Sequence, residues 1–285
     1  MRAAGGSPSR STRFIALAVA VVLIGAVADR GGTPAQADDG PGTRIVDLPT
    51  RPGVTVRTLI LVPPLQPVAA AILLAGSDGV VGISDRADAD WTRGGSVLVR
   101  SGPLFAARGL YTMIVDPPSD HRRGLSLDFR AGAEHAEDIA AIIADARQRL
   151  PGAPVWLIAH SSASASAANV AARLPPPRGP DGVVLAATIW RPIRGGGPDG
   201  MSNAGRYRDI RVPVLLVQNR QDRCTPPALA HDLRALLTGA PRVELTLLGG
   251  IATPSMPRCG RFAAHGFAGI EEEFATAIAA WIARR

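Results

Sequence analysis

Ser161 closes an apolar run, Val155-Trp156-Leu157-Ile158-Ala159-His160-Ser161-Ser162-Ala163, with an alanine two residues away on each side. A serine lifted into reach on a sharp strand-to-helix turn needs small neighbours at those two places. Its hydroxyl is a weak nucleophile until a base takes the proton, and the base needs a third group to hold it. Two later residues supply both in a workable order. Asp222 follows the apolar run 213–218 in Asn219-Arg220-Gln221-Asp222-Arg223-Cys224-Thr225-Pro226, and His265, in Ala264-His265-Gly266-Phe267, is the only histidine beyond both the serine and the acid. Together they could perform acyl chemistry, with Ser161 attacking a carbonyl, His265 taking its proton and Asp222 steadying the imidazolium.

Plainer readings exist for each residue. The usual turn carries glycines where Ala159 and Ala163 stand, and Ser161, Ser162, Ser164 and Ser166 could mark an ordinary helix N-cap. Ser162 competes with Ser161 for the apex, although the flanking alanines favour Ser161. Asp222 could simply form a turn. His121, His135, His160 and His231 read as surface or loop residues, and no pair has the spacing and acid support of a zinc site, so neither metal nor cofactor is expected. Negative charge on an attacked carbonyl would be met by the backbone N–H of Ser162 and by one from Ala75-Gly76-Ser77-Asp78-Gly79, where Ser77 is preferred. A simple Ser-Asp-Gly turn is the alternative there.

These residues need a scaffold that brings distant loops to one place. Runs at 54–62, 70–74, 111–115, 155–159, 182–188, 213–218 and 243–248 read as strands, most of them nearly continuously apolar as strands covered on both faces should be. Between them lie helical stretches. In 133–150, Ala136, Ile139, Ala140, Ile143 and Ala146 make a stripe, with Glu134, Glu137 and Asp138 near the positive helix end; in 270–284, Phe274, Ile278 and Trp281 do the same. This alternation predicts an α/β fold with a mainly parallel central sheet flanked by helices. Residues 38–53 read as a polar lead-in to a single domain over 54–285.

In this arrangement the chain resembles the α/β-hydrolase superfamily from about Thr55 to the C-terminal helix. Ala75-Gly76-Ser77-Asp78-Gly79 is similar to the family's oxyanion loop, Ala159-His160-Ser161-Ser162-Ala163 to its nucleophile elbow, and Asp222 and His265 to its later triad members. Asn169, the stretch Val115-Asp116-Pro117-Pro118-Ser119-Asp120, and His265-Gly266-Phe267 with Gly269-Ile270-Glu271 resemble a group of exported bacterial α/β-hydrolases of undefined substrate. The resemblance implies a serine hydrolase acting on an ester, or else a thioester or amide. Acyl transfer to an alcohol and a non-catalytic binding role on the same scaffold are the alternatives, the second because alanines replace both elbow glycines. Only 191–212 separates the strand 182–188 from the next, too little for a large cap domain, so an uncovered or loop-covered site for a small-molecule or surface-bound acyl substrate is expected.

The N-terminus places Arg2, Arg10 and Arg13 before an apolar run over 14–28 and then Ala35-Gln36-Ala37, the order of a signal peptide spanning 1–37. A cut after Ala28 and an uncleaved anchor are the alternatives, the apolar run being short for a membrane span. Export to the periplasm or outside the cell makes a disulfide between Cys224 and Cys259 the default over two free thiols, and their wide separation argues against a redox pair. The net charge of +7 falls to +4 when residues 1–37, with four Arg and one Asp, are set aside. The remaining arginines are scattered, which argues against a nucleic-acid partner. No stable membrane insertion is expected after leader removal, and oligomeric state is not legible.

Overall fold

The computed structural model describes residues 42–85, 95–190, 204–249 and 256–284, all within one compact unit, Gln36–Arg285. The expected leader, residues 1–37, lies outside the described residues. Eight strands, β1 (Gly42–Arg51), β2 (Val54–Val62), β3 (Ala69–Leu74), β4 (Leu110–Pro118), β5 (Val155–His160), β6 (Gly182–Ala186), β7 (Val214–Asn219) and β8 (Val243–Leu248), form one sheet in the order β1-β2-β4-β3-β5-β6-β7-β8. β1 and β2 pair antiparallel, β2 joins β4 antiparallel, and every pair from β4 onward is parallel.

Strands β3, β5, β6 and β7 are buried at every position. Helices on both faces cause this. On one face α3 (Ala133–Arg149), α4 (Ser164–Arg173) and α6 (Pro227–Leu236) pack over a core that includes Ile139, Ile143, Val170 and Leu233. On the other, α1 (Val97–Ala107) and α7 (Glu271–Ala283) bury Phe105, Phe274, Ile278 and Trp281. Two short helices, α2 (Leu127–Ala131) and α5 (Ala204–Arg208), are also found among the described residues, and no described helix is long and apolar enough to cross a membrane.

Three local expectations are corrected. The lead-in 38–53 contains β1, an edge strand in which Val46 and Leu48 pack on one core and Ile45 on the other, while Asp47 and Pro49 face outward. An edge strand with proline and solvent-facing polar residues lacks the continuous apolar signature of its neighbours. Asp138 does not serve the α3 dipole: it is buried and accepts from Arg51 Nε at 2.8 Å and Thr50 Oγ1 at 2.6 Å, fastening β1 to α3. β6 ends at Ala186 instead of running to 188, because Ala187 takes the left-handed φ of 44° and turns the chain away.

Candidate active site

β5 delivers Ser161 from the middle of the sheet. The residue sits at φ 57°, a left-handed conformation uncommon for a non-glycine, at the start of a 3-10 turn over Ser161–Ala163 that runs into α4. The flanking alanines hold ordinary backbone conformations. Ala159 lies in register between Leu74 and Leu185, and Ala163 has φ −68°, so both occupy backbone regions suited to any L-residue. The tight approach lies across the site. A Cβ on Gly76 would come within 2.8 Å of the His160 carbonyl and 3.0 Å of Ser161 Cβ. The glycine that this elbow requires therefore stands in the facing loop, beyond β3.

His265 arrives in a 3-10 turn over Ala264–Gly266, and its Nε2 lies 3.0 Å from Ser161 Oγ. Its Nδ1 lies 2.9 Å from Asp222 Oδ2. All three residues are buried, at 7 %, 3 % and 3 % exposure for Ser161, His265 and Asp222, which strengthens charge and hydrogen bonding between them. The two carboxylate oxygens divide their work. Oδ1 accepts the backbone N–H of Cys224 at 2.7 Å and of Thr225 at 3.0 Å, so the turn-forming reading of Asp222 holds for that oxygen. Oδ2 faces His265 and also accepts from Gln218 Nε2 at 2.9 Å and Thr225 Oγ1 at 2.7 Å. Burial is the largest single influence on Asp222 and pushes its pKa up; the hydrogen bond and charge of His265, with those of Thr225, outweigh it and hold the carboxyl below its ordinary value.

Three further groups fix the His265 turn. Cys224 and Cys259 form a disulfide that ties the Asp222 loop to the segment just before His265. Arg100 of α1 donates from Nη2 to the Gly266 carbonyl at 2.8 Å and from Nε to Glu271 Oε1 at 3.0 Å. His160 Nε2 lies 2.9 Å from the His265 carbonyl and so carries the proton that it donates there. His160 is no surface residue, contrary to the sequence expectation, and neither is His135. Burial pushes both imidazoles down to about 3, leaving them neutral near pH 7. His121, by contrast, stacks on Phe129 in a partly exposed position, and His231 is exposed.

Opposite the elbow, Ser77 is also left-handed, at φ 52°. Its amide has no acceptor among the described residues. The Ser162 hydroxyl donates to the Ser77 carbonyl at 2.9 Å, so the two residues expected to flank an oxyanion meet directly. The Ser162 N–H lies in the first turn of a helix, where backbone donors have no partner within the helix. A cavity of about 480 Å³ opens on Ser161 and His265 and is lined as well by Ser77, Val80, Ser96 and Arg261. A neighbouring cavity of about 460 Å³ shares Val80 and Gly82 but is lined by Arg57, Asp85 and Asp116 and contains no nucleophile–base pair. Among the described residues no cluster of His, Cys, Asp and Glu could hold a metal ion.

Sequence reasoning singled out Ser161, Asp222, His265, Ser77, Ser162, Cys224 and Cys259, and the structure brings all seven to one end of the sheet. It missed Gln218, Thr225, Arg100 and His160, which hold Asp222 and the His265 turn in place. Thr225 alone carried a readable signal, since Asp-x-x-Thr is a pattern in which a carboxylate caps its own turn.

No protein-family model matches this chain, and no curated protein matches it in sequence. Solved structures do. A predicted CIB-like hydrolase from Thermoplasma acidophilum superposes with TM-score 0.56 at 17 % identity, over 86 % of this chain and 100 % of that one. The esterase Pf2001 of Pyrococcus furiosus gives 0.58 at 13 % identity, over 85 % and 92 %. Dienelactone hydrolase from Anabaena variabilis gives 0.56 at 17 % identity, over 85 % and 95 %. The chain has the α/β-hydrolase fold, and at these identities the likeness speaks for the fold alone.

Proposed function

We propose that this protein is a serine hydrolase that cleaves carboxylic esters through an acyl-enzyme on Ser161. The observation that carries the reading is the unbroken line Ser161 Oγ, His265 Nε2, His265 Nδ1, Asp222 Oδ2, with steps of 3.0 and 2.9 Å, starting from a serine in a left-handed turn. Ser161 Oγ attacks the ester carbonyl as His265 Nε2 takes its proton, and the N–H groups of Ser77 and Ser162 receive the developing oxyanion. Collapse expels the alcohol, which leaves with the proton from His265. Water, deprotonated in turn by His265, then releases the acid and restores Ser161. Asp222, ionised near neutrality, holds the ring with Nδ1–H towards itself and stabilises the imidazolium.

The alternative of a non-catalytic scaffold rests on the two alanines of the elbow, and against it Ala159 keeps regular strand register and Ala163 a helical backbone while Ser161 holds its left-handed turn. The cavity at Ser161, edged by Ser77, Ser96 and Arg261 beside Val80, suits a short or polar acyl substrate, free or displayed on a surface. The Cys224–Cys259 disulfide and the leader-like sequence of residues 1–37 together favour export into an oxidising compartment. Turnover of p-nitrophenyl acetate, butyrate and octanoate, with thioester and anilide counterparts, tests the reading. Ester turnover that vanishes in Ser161→Ala supports it; products appearing only when an added alcohol accepts the acyl group replace it with acyl transfer.

A further inference from the structure

We propose that Arg130, helped by the Ser162 hydroxyl, is a positioning residue that clamps the oxyanion loop from behind and so aims the Ser77 amide at the reacting carbonyl. The inference rests on the hydrolase reading above and adds a residue that the triad does not use.

Arg130 projects from α2 and is 1 % exposed. Its Nη2 donates to two carbonyls of the loop, Ala75 at 3.3 Å and Ser77 at 3.1 Å, while Nη1 donates to Ser166 Oγ at 3.1 Å on α4, the helix that follows the nucleophile turn. One guanidinium thus joins the oxyanion loop to the elbow. Its own backbone is anchored as well, because Asn169 Nδ2 donates to the Arg130 carbonyl at 3.1 Å and to that of Gly132 at 2.7 Å.

The peptide that matters links Gly76 to Ser77 and carries the Ser77 N–H. Arg130 holds the carbonyls of the peptide units on either side of it. The middle carbonyl, Gly76 O, accepts from Gly79 N at 2.9 Å. Three consecutive carbonyls are therefore engaged, and peptide planarity leaves the intervening amide no freedom to rotate. The left-handed Ser77 would relax if released, and Ser162 Oγ supplies a second hold on its carbonyl. Glycine at 79 leaves room for the guanidinium where it stands, since a Cβ there would lie 2.8 Å from Nη2.

Burying a guanidinium is costly, and this one forms no ion pair with any described carboxylate; Asp78 assists only at longer range. Burial lowers its pKa to about 10, so it remains charged at neutral pH. His135 nearby is neutral and so adds no positive charge beside it. Arginine suits the task because its planar fork reaches several acceptors at once, which an ammonium does less well.

The test uses Arg130→Met, Arg130→Lys and Ser162→Ala, each with its active sites titrated by a fluorophosphonate so that rates refer to competent molecules. An oxyanion forms only after attack, so the clamp acts on kcat more than on KM. For Arg130→Met, kcat per titrated site on p-nitrophenyl butyrate falls about 100-fold, KM moves less than about threefold, and inhibition by an alkyl trifluoromethyl ketone, which forms a tetrahedral adduct, weakens in parallel with kcat. Arg130→Lys recovers part of the loss, and Ser162→Ala shows the same pattern at about tenfold. A purely structural role would reduce the titratable fraction and leave kcat per site and ketone affinity unchanged; that result in Arg130→Met overturns the proposal. If Arg130→Met does not fold, the same result in Ser162→Ala and Arg130→Lys overturns it. A folded wild type that does not react with the fluorophosphonate removes the hydrolase reading itself, a separate and recognisable failure.

Discussion

Asp222 and Ser77 both sit on loops just beyond parallel strands, β7 and β3, on opposite sides of Ser161, and they are held by opposite means. Asp222 is surrounded by donors, namely two backbone amides, Gln218, Thr225 and His265, and its loop is covalently joined to the His265 segment through Cys224–Cys259. The Ser77 loop is held by its carbonyls, through Arg130 and Ser162, while its amide stays unused. On the proposed mechanism, the difference follows from when charge is present. A carboxylate is negative throughout, so its partners can stay permanently engaged, whereas an oxyanion is transient and its donors have to be kept free until it forms. The lesson is that a site can be preorganised by fastening the atoms behind its working groups.

The largest expected effect breaks the acid side. Asp222→Asn keeps the size of the side chain but favours the wrong imidazole tautomer, so kcat should fall by about 10³ to 10⁴ in steady-state assays. A folded variant with nearly full activity would mean that the charge of Asp222 is idle. Removing the covalent tie is next. Replacing Cys224 and Cys259 together by alanine frees a loop spanning a sequence separation of 35. Chain entropy sets the expected loss at about 3.8 kcal/mol in urea denaturation, with kcat falling less than in Asp222→Asn.

Acid probes both sides at once. His160, against the His265 carbonyl, and His135, beside Arg130, are both driven down from 6.5 to about 3. Between those values the unfolded chain binds protons that the folded one refuses, so stability is full above pH 6.5 and is lost as pH falls towards 3. Each histidine contributes on the order of 2–4 kcal/mol to the loss by pH 4, measurable from urea midpoints. Asp222 adds its own loss only lower, as pH drops from its ordinary carboxyl value through its depressed one. His135→Phe should flatten the upper part of this profile while leaving the pH dependence of kcat unchanged.

The smallest effects sharpen the account of the elbow. Gly76→Ala forces a Cβ against the His160 backbone and should cost about 1–3 kcal/mol together with activity. Ala163→Gly, which restores the usual glycine, should cost about 0.5–1 kcal/mol and leave kcat within about twofold, because Ala163 already has an ordinary helical backbone conformation. The reverse ranking would show that the alanines are the strained positions.

Much of this was readable in the sequence, for identifiable reasons. The strands 54–62 and 243–248 are legible to the residue, and β3, β5 and β7 nearly so, the last three because burial on both faces leaves long apolar runs. Chain order then selected Asp222 and His265. β1 escaped because an edge strand packs only part of its side chains and carries Pro49. The alanines around Ser161 read as a defect because the compensating Gly76 is 85 residues away from Ser161 in sequence and meets it only in three dimensions. Arg130, His135 and His160 look like surface residues in a string of letters; what buries them comes from elements distant in the chain. Nothing local announces a guanidinium whose acceptors lie 53 and 55 residues earlier.

The central claim is that Ser161 is an activated nucleophile, and fluorophosphonate labelling of the oxidised protein beside Ser161→Ala and His265→Ala tests it most directly. The expected result is one adduct per chain, located at Ser161 by peptide mass analysis, absent in Ser161→Ala and slowed by at least about 10³-fold in His265→Ala. A folded wild type that resists labelling, or an adduct that persists in Ser161→Ala, would contradict it.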